Sequence, residues 1–234
     1  GCIWFLAVFM VVSKLSPYKL ASQLIGENYI HLGEYLRLRA VFYKNSENTQ
    51  TVLNAVITQQ NKIKNLQEET REVLFKTRKI VSEANAQSRI LMLMFLTSID
   101  FYEKLITSNT DFKKLHKNFG ENKIFEEIHD FLILLATEIE RIGIALQSGG
   151  KLELNSTINH ELEVLFQHYF KLRNAELNPD SLEKFLSLRM VFMRVKEIND
   201  EVKNIYKKWN QNEKSTKTDA NGLDYHKFLP DEEK

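Results

Sequence analysis

The sequence predicts an all-α protein, an elongated antiparallel bundle of about six helices preceded by the end of a transmembrane helix. Three observations predict it. Only 3 prolines and 8 glycines occur in 234 residues, too few breakers for an all-β fold, which needs a turn about every ten positions. Apolar residues make up 43% of the chain and charged residues 27%, a balance that fills a core and excludes disorder for most of the length. Apolar positions also recur at three-and-four spacing through most of the chain. The formal net charge of +1 gives no electrostatic footprint for nucleic acid. The single cysteine, Cys2, excludes a disulfide framework and a thiolate zinc site.

The first element is the apolar run GCIWFLAVFMVV, residues 1–12, which holds no charged side chain. Twelve residues rising about 1.5 Å each cover roughly 18 Å, short of the 30 Å or so of a hydrocarbon core. No basic region precedes the run and no small-x-small site follows it, so a signal peptide fits poorly. The run reads as the last part of a membrane helix, with Ile3, Trp4, Phe5, Leu6, Val8, Phe9, Met10 and Val11 embedded in lipid. The competing reading is a core helix. From Ser13 to Lys44 five basic residues (Lys14, Lys19, Arg37, Arg39, Lys44) face two acidic ones (Glu27, Glu34). Such an excess stays on the cytoplasmic side, which places the body in the cytoplasm and agrees with the lack of disulfides. The expected organisation is a membrane helix end and juxtamembrane turn over 1–16, a cytosolic helical bundle over 17–213, and a linker over 214–234.

Pro17 is a helix start, and the helix runs to about Tyr43 with Leu20, Leu24, Leu32, Leu36 and Phe42 inside. The polar stretch 44–48 ends it. A second helix, Thr49 to about Val81, has sparse apolar positions and a polar stretch between them, so it is half-exposed. The third, Ala84 to Phe119, contains Ile90 to Leu96, apolar on every face, which marks it as the central helix. Asn118-Phe119-Gly120 is a stop signal. The fourth, Glu121 to Gln147, carries the stripe Ile124, Ile128, Phe131, Leu135, Ile139, Ile142 and Leu146 and ends at Ser148-Gly149-Gly150. The fifth runs from Ser156 to about Leu177. After the turn Asn178-Pro179-Asp180-Ser181, the sixth carries a repeat near 3.5 from Leu182 to Trp209, the spacing of a helix that pairs with another long helix. The apolar pattern ends at Asn210.

Candidate chemistry is thin. Glu126 and His129 have the spacing of half a di-iron carboxylate site, but no other acid precedes a histidine by three. His160-Glu161 begins a zincin-like pattern that fails at Val164. His160 and His168 share a helix face but lack a third ligand. No phosphate cradle or nucleophile elbow occurs, so no catalytic, metal or cofactor site is expected and the chain is not read as an enzyme. Four charged residues are expected to pair across helices and fix their register. Arg89 and the pair Asp100 and Glu103 bracket the apolar run, and Arg71 lies among Glu68, Glu69 and Glu72.

Four stretches carry a resemblance: PYKLASQLIGENYIHLGEYLRLRAVFY (17–43), LQEETREVLFKTRKIV (66–81), SRILMLMFLTSIDFYEKL (88–105) and IHDFLILLATEIERIGIAL (128–146). They resemble the cytosolic segment of the fusaric-acid-resistance-like (FUSC) inner-membrane proteins, in the YccS/YhfK branch. The likeness covers residues 1 to 147 well and is generic from 151 to 213. It implies a cytosolic helical domain between two groups of membrane helices of a bacterial inner-membrane transporter or exporter of small compounds, aromatic acids being the class suggested. The substrate would be handled by membrane helices outside this sequence. The partners implied are the lipid bilayer and further copies of the chain, joined through helices 49–81 and 182–209, with no cofactor. The alternative is the cytosolic bundle of a single-span membrane sensor.

Overall fold

A computed structural model describes the backbone of residues 2–44, 49–76, 86–107, 110–120 and 122–220, and side chains within 18–211. Among the described residues there are seven α-helices and no strand. They are α1 (Cys2–Lys44), α2 (Thr49–Lys76), α3 (Ala86–Ile106), α4 (Phe112–Phe119), α5 (Ile124–Ser148), α6 (Thr157–Glu176) and α7 (Leu182–Ala220), with a 3₁₀ turn at Pro179–Ser181 before α7. The expected all-α bundle is present.

The long helices run up and down. Hydrogen bonds tie α1 to α2 near His31 and Gln59, and α1 to α3 through Tyr29 and Met94. Ser22 reaches the carbonyl of Leu146 at the top of α5, while Tyr43 packs on Phe125 at its base, so α1 and α5 are antiparallel. The base is capped by α4, whose Phe112 stacks on Phe42. His116 Nε2 lies 2.7 Å from the Phe42 carbonyl near the end of α1. Phe119 meets Phe185 at the start of α7, and Tyr206 meets Glu138 higher up. The N-terminal end of α1 and the C-terminal end of α7 therefore leave the bundle on the same side.

Four expectations need correction. The first helix does not start at Pro17. It is continuous from Cys2 to Lys44, because one lost amide donor does not end a helix held by so many other bonds, so no turn separates 1–16 from the body. The third segment breaks after Ile106. Asp111 caps a new helix by accepting the Lys114 amide at 3.0 Å, so its side chain supplies what continuation of α3 would have supplied. The last helix passes Asn210 and continues to Ala220. This makes 214–220 helical, whereas 221–234 lie outside the described residues.

The central helix is α1, not the segment over 90–96. Leu91, Met94 and Phe95 are buried, but Leu96 is 49% exposed. What centres α1 is a line of small residues. A Cβ on Gly26 would lie 2.6 Å from the carbonyl oxygen of Gly143, one on Gly143 2.4 Å from that of Gly26, and one on Gly33 2.8 Å from that of Ala136. The two backbones touch along the seam, which only residues without a Cβ allow. Gly26, Gly33 and Ala40 are seven apart on α1, as Ala136 and Gly143 are on α5, so the small positions recur on one face. The fourth-helix stripe is buried as expected, and Gly149 ends α5 in the left-handed region at φ 69°.

Candidate functional site

The seam carries its own polar clamp. Arg37 donates from Nε to Glu140 Oε1 at 2.6 Å and from Nη2 to Glu140 Oε2 at 2.8 Å. Nη2 also donates to Thr137 Oγ1. This two-pronged pair sets the rotation of α5 against α1, and its hydrogen bonds raise the affinity of the guanidinium for its proton. Two residues before Glu140, Glu138 points to the other side of α5 and is buried. Its carboxylate accepts the Tyr206 hydroxyl at 2.7 Å and pairs with Arg141 at 2.8 Å. The backbone N–H of Asn155 donates to it at 3.5 Å. Burial, then the bond to Glu138, pushes the Tyr206 hydroxyl well above its ordinary range. A buried carboxylate with three partners joins α5, α7 and the loop before α6 without an orphaned charge.

Two grooves open on the two flanks of α6. The flank toward α5 holds a hollow of about 430 Å³ over Phe131, Leu134 and Leu165, edged by Glu127, Asp130 and Glu161. His168 Nδ1 lies 2.9 Å from the Glu127 carboxylate, and His129 lies 2.8 Å from Asp130. Glu161 has no ion pair among the described residues. The flank toward α7 holds a hollow of about 420 Å³ floored by Phe166, Tyr169, Phe185 and Phe192 and edged by Arg173 and Arg189. Tyr169 and Phe192 rings pack at 4.5 Å. Burial raises the Tyr169 pKa, and the two guanidiniums oppose the rise, which places both charges near the groove floor. Neither arginine has an ion pair among the described residues. Beside this groove Leu182, Leu186, Met190 and Met193 form an exposed apolar ridge on α7, with Met190 71% exposed. Of the expected inner face of the last helix, Phe185, Phe192, Val195, Ile198, Val202 and Ile205 are buried, and Leu182 alone turns outward to join the ridge.

The four charges singled out from sequence are not brought together. Arg71 pairs at 2.8 Å with Glu68, three residues back on its own exposed helix face, so it does not link helices. Three-residue spacing favours the nearer acid. Asp100 and Glu103 are exposed and have no ion pair among the described residues. Arg89 is exposed at the start of α3. The inter-helix charge work is done instead by Arg37 with Glu140, and by Lys104 with Glu201 across α3 and α7. The side chains of Ile3, Trp4, Phe5, Leu6, Val8, Phe9, Met10 and Val11 lie outside the described residues, on a backbone that is helical. Among the described residues no helix is long and apolar enough to cross a membrane. The metal patterns weighed from sequence do not assemble. His129 and His168 turn to Asp130 and Glu127, His160 is exposed, and no group of three potential ligands forms among the described residues.

No curated protein and no solved structure matches the chain. The model of one family, described as "FUSC-like inner membrane protein yccS", matches residues 1–202. That match spans most of the 234 residues, and the chain belongs to the FUSC-like family of inner-membrane proteins.

Proposed function

We propose that this chain is the cytosolic helical domain of an inner-membrane exporter of small compounds, with aromatic acids as the substrate class, and that it performs no chemistry of its own. The chain belongs to a family of inner-membrane proteins, which suits a transport role. The observation that carries the domain assignment is the common exit. The N-terminal end of α1 and the C-terminal end of α7 leave the bundle on the same side, as a domain placed between two groups of membrane helices requires. Between those exits the seam of α1 and α5, clamped by Arg37 and Glu140, is rigid enough to carry orientation from one membrane group to the other. The excess of basic residues over 13–44 supports the cytoplasmic side. The domain's second role is to hold copies of the protein together.

Labelling tests the assignment. Met190→Cys, in a Cys2→Ser background, is treated with a membrane-impermeant maleimide in right-side-out and inside-out vesicles. Labelling only in inside-out vesicles is expected. Labelling from the outer face overturns the cytosolic placement. Retention of radiolabelled benzoate by cells lacking the protein, lowered on its re-expression, is the expected transport result, and equal retention removes the substrate class.

A further inference from the structure

The two flanks of α6 carry opposite charge over apolar floors. On one, Asp130 and Glu161 edge a concave hollow that exposes part of Leu134. On the other, Arg189 lies beside the exposed Leu186 and Met190 of α7. Glu161 and Arg189 have no ion pair among the described residues. An exposed run of apolar residues beside unpaired charges marks a surface that something covers, and the complementary surface is on this chain. We propose that the α7 ridge of one copy docks in the α5–α6 hollow of the next, with Arg189 facing Glu161 and Asp130, so that copies join head to tail.

The charges disfavour a two-fold contact centred on either patch. With the axis at the patch, ridge against ridge sets Arg189 beside Arg189, and hollow against hollow sets Glu161 and Asp130 against their own copies, both of which repel. A head-to-tail contact either closes into a ring or continues as a filament. This step rests on the membrane placement proposed above: copies tethered at one end share an orientation and a plane, which leaves a ring about the membrane normal as the closed solution.

The test uses the full chain in detergent micelles. In the Cys2→Ser background, chains with Met190→Cys alone are mixed with chains carrying Leu134→Cys alone and oxidised. A disulfide-linked dimer is expected in the mixture and in neither parent. A dimer from Met190→Cys chains alone indicates a two-fold α7 contact and overturns the proposal, as does a monomer with no cross-link in any sample. Charge reversal gives an independent readout that avoids the cysteines. Glu161→Arg and Arg189→Glu, both at exposed positions, are each expected to weaken self-association about tenfold or more, and the two together in one chain to recover most of it. No recovery overturns the pairing. If the mixed cross-link forms but the assembly grows without limit as concentration rises, the contact stands and the coplanar membrane placement fails.

Discussion

The seam between α1 and α5 and the flank between α6 and α7 are both helix–helix contacts, built on opposite principles. In the seam, glycines bring backbones within contact distance of each other and a two-pronged ion pair locks the rotation. In the flank, Phe166, Tyr169 and Phe192 hold the helices apart with rings at 4.5 and 5.3 Å, and a groove remains open to solvent beside them. Close packing leaves no space and no unsatisfied surface. Aromatic spacing leaves both. The difference teaches where rigidity and where recognition belong in this protein.

The comparison breaks most severely at Gly143. Gly143→Val drives a side chain into the carbonyl of Gly26 and should cost about 3 kcal/mol or more, with outright unfolding as the extreme. Urea denaturation followed by circular dichroism measures it. A loss under 1 kcal/mol means that the seam can open. Phe192→Ala removes the ring between Phe166 and Tyr169, and a loss of about 3 kcal/mol is expected; a much smaller loss means that the aromatic flank collapses onto the gap.

Alkaline pH tests the seam helix, which buries Tyr29 and Tyr43. Burial pushes the Tyr43 hydroxyl up to about 12 from an ordinary value of 10.0, and raises Tyr29 further, burial first and then the charges of Glu201 and Asp100. Above pH 10 the unfolded chain gives up these protons while the folded one keeps them. The stabilisation is complete below pH 10 and falls as pH rises toward 12, by about 2–3 kcal/mol from Tyr43 alone. Melting temperatures from pH 9 to 11.5 check the direction, and a Tyr43→Phe chain should lose part of the slope. The smallest effect belongs to the ridge. Met190→Ala should change stability by less than about 0.5 kcal/mol while weakening self-association, as sedimentation velocity would register.

The helices, their order and most of their inner faces were legible in the sequence because apolar side chains at three-and-four spacing have nowhere to go but a core. The stripe on α5 is the plainest case. The family was legible too, from runs such as 128–146. The centre of the bundle was not. Reading hydrophobicity favoured 90–96, whereas centrality went to the helix with glycines at 26 and 33, whose lack of side chain carries no hydrophobic signal. The sevenfold spacing of Gly26, Gly33 and Ala40, matched by Ala136 and Gly143, was the visible clue. The charges chosen from sequence misled because adjacency along the chain favoured pairs such as Arg71 with Glu68. Arg37 and Glu140, 103 residues apart, could meet only through the fold.

By itself, the sequence determined that the chain is helical and which family it belongs to, since both follow from local pattern and ordered similarity along the chain. Only the tertiary structure decided which helix is central, which charges join helices and which apolar residues of α7 face outward. Those depend on how closely two backbones can approach and on which of several apolar faces reaches the interior first, and neither quantity is a property of any one segment.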